Sequence, residues 1–168
     1  LADTGQHCPY LRQTCLVNNW ATDFNVSTCV KCTDGVVVVE RAMYGGGGAW
    51  ATDSIGATAP AGTWYLAEGS TDGGMETYVL VQNPTGVDAK VNVVFNTGGG
   101  ENAPAELQGV TIPAGTRQTY LVNNWVTTYD VSTMVEATEG QVVVERAMYG
   151  GGGAWAHDSI GYARATAL

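Results

Sequence analysis

Residues 37–50 read VVVERAMYGGGGAW, and the same fourteen residues return at positions 142–155. The flanking sequence repeats with the same offset of 105 residues, because RQTCLVNNW at 12–20 returns as RQTYLVNNW at 117–125. Between 12–56 and 117–161, 34 of 45 aligned positions are identical without a gap. The chain of 168 residues therefore holds a complete repeat, which begins at residue 57, preceded by the second half of another.

The repeat length and the distribution of strand-forming residues predict the fold class. About 100 residues is the usual size of a seven-stranded β-sandwich. Turn-forming Gly, Pro and Asn residues separate short apolar or β-branched runs, which lie at 63–67, 77–82, 90–96, 106–112, 118–122, 131–138 and 141–149. We predict an all-β, Ig-like antiparallel sandwich over 57–168, with a short C-terminal tail, and half a sandwich over 1–56.

The composition argues against two classes of partner. Seven Lys and Arg residues against sixteen Asp and Glu give a net charge of −9, with no basic cluster to neutralise phosphates. No apolar stretch approaches the roughly 20 residues that a membrane-spanning helix requires. We therefore expect neither nucleic-acid binding nor membrane insertion.

All four cysteines lie in the half repeat, at Cys8, Cys15, Cys29 and Cys32, where the complete repeat has Pro, Tyr, Met and Ala. Disulfides would stabilise a truncated core, so we expect disulfides here. Strand alternation places Cys29 and Cys32 on opposite faces, which leaves Cys15 with either of them, or Cys8 with Cys15, as open pairings. The spacing Cys29-x2-Cys32 also suits a zinc site, but no second such pair exists.

Few motifs suggest chemistry. The Gly45–Gly48 and Gly150–Gly153 runs lack the Lys-Ser or Lys-Thr of a phosphate loop, so we interpret them as turns or flexible connections. Consecutive His157-Asp158-Ser159 would point in different directions, and a turn is the favoured interpretation of Asp-Ser-Ile-Gly. The loop Ser70–Glu76 offers only two carboxylates to Ca²⁺. We expect no enzyme activity, cofactor or metal site.

Repeated charged and aromatic residues are candidates for contacts between repeats. Glu40-Arg41 and Glu145-Arg146 lie in apolar strands, and Arg12 and Arg117 could meet their carboxylates. The aromatic candidates, which suit either packing between repeats or the stacking of sugar rings, are Trp20, Trp50, Trp64, Trp125 and Trp155. Asn25-Val26-Ser27 matches an N-glycosylation acceptor.

A set of segments found in order resembles a tandem β-rich domain of undefined function from large secreted and cell-surface bacterial proteins. The segments are TWYLAEG at 63–69, YVLVQNP at 78–84, IPAGTR at 112–117, DVST at 130–133, VERAMY at 144–149 and HDSIG at 157–161. The resemblance implies an exported Ig-like surface module without established catalytic residues. The half repeat and its cysteines depart from a simple tandem arrangement.

The incomplete repeat is the main indication of function. Strands that would complete it are missing ahead of the half repeat, so a neighbouring chain could donate them, the half could fold as an appendage on the complete repeat, or preceding residues could supply them. We predict an extracellular structural protein, the repeating subunit of a bacterial surface filament, whose partners are copies of itself joined head to tail. The alternative is a carbohydrate-binding or adhesive module that contacts glycans or other cells.

Overall fold

The computed structural model describes residues 12–164, which are almost entirely β-strand and loop. The strands are β1 (Glu40–Gly45), β2 (Trp50–Ile55), β3 (Thr63–Leu66), β4 (Glu76–Gln82), β5 (Ala89–Thr97), β6 (Gly100–Asn102), β7 (Val110–Ile112), β8 (Arg117–Leu121), β9 (Val131–Glu139), β10 (Val143–Gly150), β11 (Trp155–Ile160) and β12 (Tyr162–Ala163). Short 3₁₀ turns span Val17–Asn19, Ala105–Leu107 and Val122–Asn124. The predicted all-β class is confirmed.

The complete repeat folds as two antiparallel sheets that enclose one core. The four-stranded sheet has the order β11-β10-β4-β8, and the six-stranded sheet has the order β12-β3-β9-β5-β6, with β7 also paired to β5. Alternate residues of β9 are buried at Val131, Thr133 and Val135, as the period of two predicts. The largest fully buried side chain between the sheets is Phe95.

The strands predicted from the sequence agree with the structure at the centre of the sheets and less well at their edges. The run 106–112 was predicted as one strand, but Ala105–Leu107 is a 3₁₀ turn and only Val110–Ile112 pairs. Gly109 separates the two parts with a φ of 68°, a conformation that ends the turn and starts the strand. The short strands β6 and β12 were not predicted, because two or three residues carry no periodicity.

The four-glycine runs are tight hairpin turns, which confirms their interpretation as structural turns. Gly46–Gly48 and Gly151–Gly153 all have positive φ, and they connect β1 to β2 and β10 to β11. The Asp-Ser-Ile-Gly segment was wrongly expected to be a turn: Asp158–Ile160 continue β11, because the hairpin pairs Ile160 with Glu145.

The half repeat forms only the strands whose partners it contains. β1 and β2 pair with each other in the register of β10 and β11. Residues 12–16 and 26–34, equivalent to β8 and β9, form no strand. In the complete repeat β8 pairs with β4, and β9 pairs with β3 and β5, none of which has an equivalent in the half repeat.

Disulfides do not form among the described cysteines. Cys15, Cys29 and Cys32 are free and exposed, and Cys8 lies outside the described residues. Residues 26–34 are not held in a sheet, so nothing aligns these thiols for the geometry that a disulfide requires. The prediction of a disulfide between Cys15 and Cys29 or Cys32 is therefore wrong for this structure.

The repeat provides a matched test of the core. Val135 is fully buried, whereas its equivalent Val30 is 53% exposed. We expect Val135→Ala to lower the free energy of unfolding by about 2 kcal/mol, since it deletes buried methyl groups and leaves a cavity. Val30→Ala should change it by less than about 0.5 kcal/mol. Urea denaturation followed by circular dichroism measures both, and equal losses would contradict the assigned burial.

Candidate subunit interface

The half repeat lies against the outer face of the four-stranded sheet. This face carries the residues that alternate with the core side of each strand, such as Tyr78 on β4 and Tyr149 on β10. Strand β2 lies beside β11, and residues 25–26 lie beside β8. The sandwich is therefore covered on this side by residues that would form part of a second sandwich.

Arg41 is the central ionic contact of this interface. Its Nη1 donates to Glu145 Oε2 at 3.0 Å, and its Nη2 contacts both Glu145 Oε1 and Asp158 Oδ2. The Asp158 side chain is fully buried, and Thr52 Oγ1 donates to its other oxygen while accepting from the Asp158 N–H at 3.0 Å. Buried carboxylates need such partners, so the half repeat supplies part of the polar satisfaction of the complete one.

The equivalent arginine of the complete repeat has different partners. Arg146 Nη1 donates to the Glu68 carbonyl at 2.8 Å and to Glu68 Oε2 at 3.0 Å, and Nη2 lies 2.6 Å from His157 Nδ1. The half repeat has no equivalent of Glu68, and Thr52 replaces His157. Identical arginines thus bind carboxylates of their own repeat in one case and of the next repeat in the other.

Aromatic side chains extend the contact along the hairpins. The Trp50 ring meets Tyr149 edge-on at 5.8 Å between centroids, and Tyr149 meets Tyr78 at 5.7 Å. Burial, and then the nearby Glu76 carboxylate, raise the pKa of Tyr78. Trp50 also lies over Gly45, where an added Cβ would be 2.0 Å from the ring, so this packing requires glycine.

A second set of polar contacts forms at the edge strand β8. Arg117 Nη1 donates to the Val26 carbonyl at 2.6 Å, and Thr119 Oγ1 donates to Asn25 Oδ1 at 3.1 Å. Burial under the half repeat lowers the pKa of the Arg117 guanidinium. Arg117 thus meets a carbonyl rather than a carboxylate, and Asn25, the glycosylation candidate, takes part in the interface. Arg12 and Glu40 are exposed.

Identical apolar residues are buried in the complete repeat and exposed in the half repeat. Val142 and Val144 are fully buried, but their equivalents Val37 and Val39 are 54% and 36% exposed. We call residues 12–56 the acceptor half and residues 57–112 the first half of the repeat. The acceptor half exposes the side chains that a first half covers elsewhere in the same chain.

The five tryptophans fall into three environments. Trp64 lies in the core, 2% exposed, and its Nε1 donates to the Val142 carbonyl at 2.8 Å, so it has no free face for a sugar. Trp125 stacks on Phe95 at 5.9 Å. Trp50 packs in the interface, whereas Trp20 and Trp155 are 75% and 39% exposed.

Residues of hydrolase type are near one another in sequence but have separate contacts. His157 meets Arg146, Asp158 meets Arg41, and Ser159 Oγ donates to the Ile160 carbonyl. Among residues 12–164, no three His, Cys, Asp or Glu side chains lie together as potential metal ligands. The described part of the chain also has no helix long and apolar enough to cross a membrane.

Sequence reasoning did not identify Thr52, Asp158 and Tyr149 as interface residues. One feature of the sequence could have indicated this interface. Residues 37–56 and 142–161 differ at a single position, Thr52 against His157. That difference marks the site where the two hairpins have different neighbours, since Thr52 binds Asp158 and His157 binds Arg146.

The geometry defines an all-β sandwich module with an additional, unfinished half. By sequence, the chain belongs to the family of unknown function DUF5719, whose model matches residues 37–168. No curated protein has a significant match to the sequence.

Among solved structures, Thermotoga maritima 1070 is similar in fold, with 16% identity, a TM-score of 0.55, and coverage of 66% of this chain and 100% of that chain. The Anabaena sensory rhodopsin transducer has 18% identity and a TM-score of 0.43, over 54% of this chain and 91% of its own. At 16% identity, the similarity to Thermotoga maritima 1070 concerns the fold alone. We draw no conclusion from the similarity to the Anabaena protein.

The two arginines provide a test of the interface. We expect Arg41→Gln to speed amide exchange in β1 and β2 at least about tenfold, since the hairpin loses its ionic contact with Glu145 and Asp158. Arg146→Gln should instead lower the free energy of unfolding of the sandwich by about 3 kcal/mol, because its side chain is 4% exposed and its removal leaves polar groups unpaired. Hydrogen exchange with mass spectrometry and urea denaturation separate the two effects, and an unchanged hairpin in Arg41→Gln would contradict the assigned contact.

Proposed function

We propose that this protein is an extracellular structural protein, the repeating subunit of a bacterial surface fibre whose joint is the acceptor half. In this proposal a neighbouring subunit inserts the strands of its first half and completes the second sandwich. The exposure of Val37, Val39 and Val30, whose equivalents are fully buried, is the observation that carries the proposal. Burial of such residues by a free first half would favour binding, as apolar burial favours folding.

Two local segments of the acceptor half, at Leu16 and at the end of the hairpin, have the backbone geometry of the complete repeat. Leu16 has φ −81° and ψ 105°, and its equivalent Leu121 has φ −81° and ψ 106°. The Gly56 N–H donates to the Val39 carbonyl at 2.9 Å, as Gly161 does to Val144 at 2.9 Å. These two segments are preorganised, and they lose little conformational entropy on binding.

The complete repeat predicts the register of the joint. β10 pairs with β11 on one edge and with β4 on the other, so that Arg146 opposes Val79 and Tyr149 opposes Glu76. β1 pairs with β2, and its other edge has no strand partner among residues 12–164. A donated β4 would place Arg41 opposite Val79 and Tyr44 opposite Glu76, which is strand addition to an open edge.

Completion of the half repeat by a donated first half would compete with the contact that Arg41 makes. In the complete repeat, Arg146, Met148 and Trp155 lie on the side of the hairpin that faces Glu68 and the other sheet. The equivalent side of β1 and β2, with Arg41 and Trp50, faces Glu145 and Tyr149 instead. In this proposal, insertion of a first half requires the hairpin to leave the outer face, and the acceptor half is closed until the hairpin leaves.

The number of half repeats determines how copies can join. Residues 1–168 contain one first half and two second halves, so in this proposal donation to a neighbour leaves the donor's own second half unfinished. The number of complete sandwiches stays the same after exchange, and the newly unfinished half accepts the next donor. Such contacts are head to tail, and they build a fibre where the rotation between subunits does not close a ring.

Exchange between intact subunits must pass through an opened sandwich, so fibres of this chain should grow slowly. A separate first half has no such barrier and adds a sandwich. We therefore expect a separate first half to bind the acceptor half faster than two intact chains exchange their first halves.

The test supplies a first half in trans. Fluorescently labelled fragment 57–112 is diluted from denaturant into the intact chain, and anisotropy, together with hydrogen exchange, follows binding. We expect saturable one-to-one binding and slowed exchange of the β1 amides, since a completed sandwich pairs the open edge. A fragment with Val79→Asp and Val81→Asp, which places charges at two core positions, is the matched control.

The intact chain without added fragment provides the second part of the test. Light scattering and electron microscopy after prolonged incubation should show unbranched fibres, and Val39→Asp, which places a charge at the equivalent of buried Val144, should prevent them. Absence of fragment binding, or equal binding of the doubly charged fragment, would reject strand donation as the joint.

A further inference from the structure

The outward face of the six-stranded sheet differs from that of the four-stranded sheet, because the half repeat does not cover it. Four residues of adjacent strands lie in one row across this face. Strand pairing places Tyr162 of β12 opposite Tyr65 of β3, Tyr65 opposite Met134 of β9, and Met134 opposite Val94 of β5. We call this set the tyrosine row.

The tyrosine row presents apolar rings to solvent. Tyr162 is 76% exposed and Tyr65 is 36% exposed, while Met134 is half-buried. Both tyrosines lie on strands that are about 4.8 Å apart, so their side chains are neighbours on one surface. Tyrosine rings combine an apolar body with a polar tip, which suits a ligand with the same character.

Hydrogen-bonding groups lie one row away on the same face. Asn96 of β5 is paired with Ser132 of β9, two residues along each strand from Val94 and Met134. The Asn96 amide and the Ser132 hydroxyl make no hydrogen bond to the residues that the structure describes. Asn96 is exposed and Ser132 is half-buried, and both polar groups are available to the hydroxyl groups of a ligand.

Tyr65, Met134 and the polar pair line a depression, and Tyr162 lies beside Tyr65 on the neighbouring strand. A depression of about 300 Å³ is bounded by Tyr65, Met134, Ser132 and Asn96. It shares Asn96 and Ser132 with a depression of about 680 Å³ that continues towards Tyr129, which is 63% exposed.

A buried polar atom of the larger depression also lacks a partner. Ser70 lines it, and within the described residues the Ser70 hydroxyl is buried without a hydrogen bond. Buried hydroxyls are normally paired, so this hydroxyl is an exception among the described residues.

We propose that this groove binds a neutral glycan chain, with sugar rings stacked on Tyr65 and Tyr162 and hydroxyl groups bonded to Asn96 and Ser132. The charge around the groove sets the class of sugar. Glu68 and Asp130 line it, and Glu136 is exposed on the same face of β9. Together with the net charge of −9, these carboxylates disfavour acidic polysaccharides.

The groove spans both halves of the complete repeat, because Tyr65 and Asn96 belong to the first half and Met134, Ser132 and Tyr162 to the second. The site therefore belongs to a chain whose own two halves are folded together. Loss of fibre formation would leave the groove of each chain intact, so failure of the fibre test and failure of the glycan test are distinguishable.

The experiment uses the full chain with cellohexaose and chitohexaose as neutral probes and with oligogalacturonate as the acidic probe. We expect at least one neutral probe to give a saturable isotherm in titration calorimetry. Tyr65→Ala and Tyr162→Ala should each weaken that binding about tenfold, since each removes a stacking ring. Asn96→Ala should also weaken binding of the neutral probe, although both tyrosines are in place, because it removes a hydrogen-bonding amide.

Tyr44→Ala is the matched control, because Tyr44 is 78% exposed but lies on the half repeat. The affinity of the Tyr44→Ala variant for the neutral probe should stay within about twofold of that of the unmodified chain. Circular dichroism confirms that each variant is folded. No binding of either neutral probe, preferential binding of oligogalacturonate, or an equal loss in Tyr44→Ala would overturn the proposal. So would loss of self-association in the Tyr65 and Tyr162 variants without any sugar binding, which would assign the face to a protein contact.

Discussion

A β-strand needs two things that it cannot supply itself: a partner for its backbone N–H and C=O groups, and cover for its apolar side. This chain shows the requirement twice with nearly the same residues. RQTYL at 117–121 is strand β8 beside β4, whereas RQTCL at 12–16 is not a strand. Local sequence preference is the same in both places, so the missing partner is the cause.

The same requirement explains the charges at the interface. An arginine within an apolar strand needs carboxylates or carbonyls nearby. Arg146 obtains them from Glu68 across its own sandwich, and Arg41 obtains them from Glu145 and Asp158 of the next repeat. The half repeat is therefore held by contacts that substitute for those of a complete one, and a donor that restored the original contacts would compete with them.

The two sheets of the sandwich consequently have different surroundings. The four-stranded sheet is covered by the half repeat through Arg41, Trp50 and Val26. The six-stranded sheet presents Tyr65 and Tyr162 to solvent. The half repeat thus contacts one sheet of the sandwich, while the other sheet has exposed tyrosines on its outward face.

The sequence by itself determined the repeat, the β class, the central strands and the turns at Gly46–Gly48 and Gly151–Gly153, because these follow from local periodicity and from the conformations open to glycine. Only the tertiary structure decided that Val135 is buried and Val30 exposed, that Trp64 is a core residue, and that Cys15, Cys29 and Cys32 remain unpaired. Burial and pairing depend on distant strands, and two copies with nearly the same local sequence differ only in whether those strands are present.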